Sequence, residues 1–261
     1  IRDSIWGGGK LFQSHYYLFL DGVGDPLLHW GFGKWITESI KLGNLYEAFL
    51  GVENIYYFMP GYRYFRSLEM VIFGESSILT YFSVILMPSL LYFILRKFLP
   101  ALHSLISIII LLIIVPSYAE SVSHYPESIG YFLALLGIIF GISNSESNDD
   151  IFKNIFLCSF FFGLSIFVRP NLLPASLLFI AGFLAFSKPF PNYKVFIFSA
   201  LGIAPAFFPL IHNLFFGNEF VILTKAATIK ENILAPPGYW SQAFFALING
   251  CLLYTSDAAD E

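Results

Sequence analysis

The chain has 261 residues, of which 57% are hydrophobic and 12% are charged, and its formal net charge is −4. Soluble domains carry about 25% charged residues, so this composition excludes an ordinary soluble domain and points to lipid as the solvent. It also lacks the strongly basic balance typical of nucleic-acid-binding proteins, and nucleic acid is not an expected partner. Apart from the last residues, the sequence holds one cysteine, Cys158, so no disulfide and no cysteine-based metal site is predicted.

Both ends of the sequence indicate a truncated fragment. It begins at Ile1 without a methionine, and it closes with CLLYTSDAADE, a polar stretch unrelated to the text before it. This stretch resembles a translated sequencing adapter, and we expect residues 251–261 to be a scar. The alternative is an ordinary polar tail. Residues 212–250 are then expected to begin a further outer loop.

Apolar runs predict an all-α integral membrane protein with about six transmembrane helices within residues 77–211. A bilayer core about 30 Å thick requires about 20 apolar residues per helix. The long run Ile151–Phe186 is split by Arg169 and Pro170, because an arginine inside the membrane is costly and proline breaks a helix. The predicted spans are Ser77–Leu95, Ala101–Val115, Ser128–Ile142, the two halves of Ile151–Phe186, and Val195–Ile211.

The short loops predict the orientation of these spans. One set of loops carries basic residues, whereas the link Pro116–Glu127 has no lysine or arginine. Since basic loops stay in the cytoplasm, that link, Arg169 and the segment after His212 are predicted to face the outside. The basic loop residues are Arg96, Lys97, Lys153, Lys188 and Lys194.

Residues 1–76 are predicted to form a first outer loop and not a span. The stretch DPLLHWGFGKWITESIKL, Asp25–Leu42, mixes apolar residues with Lys34, Glu38 and Lys41. This mixture is typical of an amphipathic helix that lies in the membrane interface.

Two acidic groups are candidates for chemistry. Asp21 and Asp25 precede the amphipathic stretch, although Asp25 followed by Pro26 is also typical of a helix cap. The link ESVSHYPES carries two carboxylates and an imidazole, which can bind a divalent metal or move protons. The alternative is a solvated loop. The titratable residues of this link are Glu120, His124 and Glu127.

Three arginines are candidates for binding phosphate. Arg63 and Arg66 stand just before the first span, and Arg169 stands where two spans meet. A guanidinium matches the oxygens of a phosphate with two parallel hydrogen bonds. The alternative is that these side chains only reach lipid headgroups.

Taken in order, these segments resemble the GT-C membrane glycosyltransferases, and most closely the bacterial relatives of protein O-mannosyltransferases and of the lipid A aminoarabinose transferase. Arg63 departs from the family pattern, which has proline there, and His212 stands where the family usually has arginine. The matching segments are GDPLLHW at Gly24–Trp30, FMPGYRYF at Phe58–Phe65, HYPESIGYFLAL around Glu127, GLSIFVRPNLLP, and HNLFFGNEFV.

The resemblance implies a polyprenyl-phosphate sugar donor that enters from the lipid bilayer, and an acceptor (a lipid, a glycan or a protein) on the outer face. It implies a bacterial inner membrane location with the active site in the periplasm. Asp25 would act as base or metal ligand, with Asp21 as the second candidate and Glu127 as partner. A divalent metal would be held by Asp25, Glu120, His124 and Glu127, and the donor phosphate by Arg63, Arg66 and Arg169.

Two other functions stay open at this point. A transporter or flippase for lipid-linked sugars usually shows inverted repeats and charged residues within its spans. The predicted spans here are nearly free of charge, which favours the enzyme. A non-catalytic membrane assembly protein would need no acidic cluster on the outer face.

Overall fold

In this computed structural model, the described residues (25–56, 60–114, 126–143, 148–186, 193–218 and 220) form helices joined by turns and contain no strand. The all-α prediction is therefore confirmed for this part of the chain. The helices are α1 Asp25–Lys41, α2 Leu45–Leu50, α3 Pro60–Phe73, α4 Ile78–Leu95, α5 Ala101–Ile114, α6 Pro126–Ile142, α7 Asn148–Val168, α8 Leu173–Phe186, α9 Tyr193–Gly202 and α10 Phe208–Gly217.

Each predicted span coincides with a helix or a pair of helices, but fewer of them are long enough to cross a membrane. Within the described residues, Ile78–Leu95 and Asp150–Val168 are long and apolar enough by themselves. A third crossing forms if α9 and the segment Ala204–Gly217 count as one bent span. The apolar parts of α5, α6 and α8 are shorter, so these helices fit a membrane protein without establishing six crossings.

The last predicted span, Val195–Ile211, is broken in the structure. The chain passes through a 3-10 turn, Ala204–Phe207, and the helices on either side are bent by 51°. Pro205 lies in this turn and Pro209 follows it. Because proline has no N–H and its ring clashes with the carbonyl one turn earlier, the α-helical ladder does not continue through the turn.

Helix α7 lies at the centre of the bundle and contacts its neighbours at very short range. A Cβ atom added at Gly163 would stand 3.1 Å from the backbone of Ile203, and one at Gly202 would stand 2.6 Å from the carbonyl oxygen of Phe156. The hydroxyls of Ser159 and Ser199 are 3.0 Å apart across the same interface. Small residues that let backbones approach, and hydroxyls that bond between helices, are typical of packing within membranes.

Helices α1 and α3 form a parallel pair that packs across one end of the bundle. Thr37 of α1 donates to the hydroxyl of Ser67 over 3.0 Å, and a Cβ atom at Gly33 would stand 2.8 Å from Cβ of Arg66. At the start of both helices, the ring of His29 meets the ring of Tyr62 edge to face. The beginnings of α1 and α3 therefore lie side by side.

Candidate functional site

The start of α3, the start of α6 and the end of α7 meet at one place. A Cβ atom at Gly61 would stand 2.5 Å from the carbonyl oxygen of Phe167, so the first turn of α3 lies directly on the last turn of α7. The next residue, Tyr62, packs with Ile129 of α6 and Val168 of α7 in one buried cluster. We call this meeting point the α3–α6–α7 junction.

Helix α1 joins this junction through His29, which is fully buried. Its ring centroid lies 5.3 Å from that of Tyr62, and its imidazole interacts electrostatically with Arg63 and Arg169. Burial, and then the positive charges of Arg63 and Arg169, lower the pKa of His29 to about 3. The side chain is therefore neutral at physiological pH.

Arg63 is buried and is held by the turn that follows α2. Its guanidinium donates to the carbonyl oxygen of Gly51 over 2.6 Å and to the carboxylate of Glu53 over 2.8 Å. The rings of Phe32 and Tyr56 lie 4.2 and 5.0 Å from its central carbon. Since the side chain is 0% exposed, it does not reach the surface to contact headgroups.

Arg66 is buried one turn later and pairs with Glu69 on the same helix. The carboxylate of Glu69 also accepts the backbone N–H of Thr80 over 3.1 Å, which ties α3 to the first turn of α4. Phosphate binding by Arg63 and Arg66 stays a prediction. Both guanidinium groups are buried and each already pairs with a carboxylate.

Arg169 lies at the junction in extended backbone (φ −137°, ψ 91°), between the end of α7 and the 3-10 turn Pro170–Leu172. The stem of its side chain packs on α6, because a Cβ atom at Gly130 would stand 3.0 Å from Cβ of Arg169. Ser165 donates to the carbonyl oxygen of Gly130 over 2.8 Å and holds the two helices together there. Unlike Arg63 and Arg66, Arg169 is only partly buried.

Of the residues predicted to carry the acid or metal chemistry, the structure describes the backbone of Asp25 and of Glu127. Asp25 is the first residue of α1, and Glu127 is the second residue of α6. Both helices reach the junction a few residues later, at His29 and Ile129. The other three members of the acidic set lie outside the described residues: Asp21, Glu120 and His124. Within the described residues, no three His, Cys, Asp or Glu side chains come close enough to hold a metal ion.

Helix α10 is fastened to the turn that holds Arg63. Asn213 accepts the backbone N–H of Tyr56 over 3.0 Å, and His212 Nε2 lies 3.0 Å from the carbonyl oxygen of Leu50. Helix α10 also forms an apolar cavity of about 290 Å³ with α2. The residues that line it are Tyr46, Phe49, Phe208, Ile211, His212, Phe215 and Phe216.

Several residues that organise the site were not among the predicted ones. Glu69 could have been found, because it follows Arg66 by three positions and such pairs face each other on a helix. Glu53 and Asn213 carry no comparable signal. Glu53 meets Arg63 across a turn, and Asn213 meets Tyr56 from a distant part of the sequence. Comparisons with known protein families, with curated proteins and with solved structures give no match to this chain.

Proposed function

We propose that this chain belongs to a GT-C type membrane glycosyltransferase, which moves a hexosyl or pentosyl group from a polyprenyl-phosphate donor to a lipid, glycan or protein acceptor. One observation carries the proposal: the start of α1, with Asp25, and the start of α6, with Glu127, approach Arg169 at one end of an apolar bundle. These are the acid and arginine segments that the family resemblance selects.

The positive groups near the junction support the binding of a phosphate leaving group. Three helices, α1, α3 and α6, begin there. Each helix start presents backbone N–H groups without partners in the helix and about half a positive charge. Arg169, which is partly buried, adds a full positive charge. Such a fixed positive environment stabilises the charge that develops on the departing phosphate.

Asp25 and Glu127 supply the other half of the chemistry in this proposal. The acceptor hydroxyl has to lose a proton as the new glycosidic bond forms, and a carboxylate can take it. Asp25 is the first candidate for this base, Asp21 is the second, and Glu127 is the partner from α6. Their carboxylates are oxygen ligands of the kind that Mg²⁺ prefers. A divalent ion held there with Glu120 and His124 would neutralise phosphate charge.

The membrane arrangement is part of the proposal. The short helices α5, α6 and α8, with the bent pair α9–α10, would complete six crossings, and α1 would lie on the outer surface of a bacterial inner membrane. The junction would then face the periplasm and the Arg96 end would face the cytoplasm. A cysteine at Ser147 should react only after the membrane is permeabilised, and labelling from outside intact cells would contradict this orientation.

The decisive experiment is sugar transfer in membranes that contain the product of the intact gene. Polyprenyl phosphates carrying different labelled sugars are supplied, and the label is followed into lipid, glycan and protein fractions. Asp25→Asn keeps the ability to cap a helix but cannot accept the proton, so we expect normal protein levels with a rate lowered about 10²–10⁴-fold. Glu38→Gln, an exposed acid on the same helix, is the matched control and should retain full activity.

The alternatives predict other outcomes of the same assay. A flippase would move the labelled donor across liposome membranes without splitting the sugar–phosphate bond. An assembly protein would do neither. Activity of Asp25→Asn close to that of the unmodified protein would leave Asp25 as a helix cap.

A further inference from the structure

Helix α3 has its polar side inside and its apolar side outside. The side that faces α1, α4 and α7 carries Arg63, Arg66, Ser67 and Glu69, all of them buried. The opposite side carries Leu68, Val71 and Ile72, which are 53%, 47% and 56% exposed. A helix on the water-facing surface of a protein shows the reverse distribution, with its apolar stripe turned to the core.

The charges on the inner side are neutralised within the protein. Arg66 pairs with Glu69, and Arg63 pairs with Glu53. An unpaired buried charge is strongly unfavourable, so this pairing is what allows the helix to lie in a medium of low dielectric constant. The exposed residues Leu68, Val71 and Ile72 present no charge to that medium.

Contacts at both ends of α3 fix its depth relative to the helices that can cross a membrane. At one end, Glu69 accepts the N–H of Thr80 in the first turn of α4. At the other end, Gly61 lies against Phe167 in the last turn of α7. In the part of the chain that the structure describes, helix α4 and the apolar part of α7 are each long and apolar enough to span a bilayer. Helix α3 therefore lies level with the ends of two candidate spans, where headgroups meet acyl chains.

We propose that the face formed by Leu68, Val71 and Ile72 contacts the lipid acyl chains directly. Helix α3 is thus immersed in the outer boundary of the bilayer and is not part of a water-exposed loop. A helix in this position typically buries its apolar side about 5–10 Å into the boundary between headgroups and chains. The occupant of this surface is the bilayer, and the proposal holds whether or not the protein transfers sugars.

Fluorescence quenching in reconstituted bilayers tests the proposal. Single cysteines are introduced by Leu68→Cys and Ile72→Cys in a Cys251→Ser background, where Cys158 is buried and unreactive, and each is labelled with a polarity-sensitive dye. Ile85→Cys, on the exposed side of α4, is the lipid-facing control, and Glu38→Cys is the water-facing control. Monodisperse elution and a helical circular dichroism spectrum check that each variant is folded.

We expect both α3 labels to behave like Ile85→Cys. A nitroxide placed near the top of the acyl chains should quench them, and aqueous iodide should quench them about threefold less than Glu38→Cys, in line with immersion in the boundary. Iodide access equal to that at Glu38→Cys would overturn the proposal, because the face would then lie in water. Protection from both quenchers would also overturn it, because another protein segment would then cover the face.

Discussion

The ring of Tyr56 lies almost flat on the imidazole of His212, with centroids 3.8 Å apart and planes 17° from parallel. This stack joins the turn between α2 and α3 to α10, a helix far away in the sequence. The same turn supplies Gly51 and Glu53, which hold the guanidinium of Arg63. Helix α10 therefore supports the position of Arg63, and its His212 also interacts electrostatically with the charge of Arg63.

Asn213→Leu should loosen this support. The substitution removes the acceptor of the Tyr56 N–H, and a buried donor left without a partner costs about 1–3 kcal/mol. We expect the free energy of unfolding in detergent to fall by that amount. Leu214→Ala, at the neighbouring exposed position, is the control and should change it by about 0.5 kcal/mol or less. Equal effects of the two variants would contradict the role of Asn213.

Glu53→Gln should destabilise the protein much more than loss of a surface acid. The change removes the carboxylate charge that pairs with the buried guanidinium of Arg63. Breaking a fully buried pair costs about 3–5 kcal/mol, and because Glu53 is 23% exposed we expect a loss at the lower end of that range. Chemical unfolding in micelles measures the loss, with Glu38→Gln as the control. Adding Arg63→Met to Glu53→Gln should restore most of the stability, because no unpaired charge then remains. Failure of this rescue would show that packing, and not charge, dominates there.

The stability of the protein should depend on pH through His29. Its pKa is about 3 in the folded chain and 6.5 ordinarily, so below pH 6.5 the unfolded chain binds a proton that the folded chain does not. The contribution of neutral His29 to the free energy of unfolding is therefore complete above pH 6.5. It is lost as the pH falls towards 3, by about 1.4 kcal/mol per pH unit. His29→Phe keeps an aromatic ring and removes this dependence. The midpoint temperature of unfolding, plotted against pH from 7 to 4.5, should therefore fall more steeply for the unmodified protein than for His29→Phe. An equal pH dependence of the two proteins would refute the assignment.

Arg169 should contribute directly to binding of the donor. Hydrogen bonds to charged groups are worth about 1.5–3 kcal/mol, so Arg169→Ala should weaken binding of a polyprenyl-phosphate sugar by about tenfold to a hundredfold. Arg169→Lys keeps the charge but loses the paired hydrogen bonds of the guanidinium. Its affinity for the donor should therefore lie between that of the unmodified protein and that of Arg169→Ala. Arg96→Ala, at the other end of α4, should bind normally. Unchanged affinity in both Arg169 variants would remove the case for a phosphate contact.

The sequence predicts the helices well where local chemistry decides them. The run Ser77–Leu95 corresponds to α4 at Ile78–Leu95, and Arg169 with Pro170 marks the end of α7, because apolar length and a helix breaker are both local properties. The sequence alone does not predict the bend at Pro205, since proline within a span is often tolerated. The partners of Arg63 could not be predicted either. Glu53 reaches it only because of how the turn between α2 and α3 folds back.

The close approach of α7 to α6 and α9 makes the bundle sensitive to size and not to hydrophobicity. In a bilayer, leucine would gain little by leaving lipid for protein, so the short distance between the backbones would be the main source of attraction between these helices. Gly163→Leu would raise the mean hydropathy of α7, so by hydropathy alone α7 would be a stronger candidate for a membrane span. It would also force a side chain into a gap where even one carbon atom stands 3.1 Å from the backbone of Ile203. The larger side chain would therefore drive α7 and the end of α9 apart, although it is more hydrophobic than glycine.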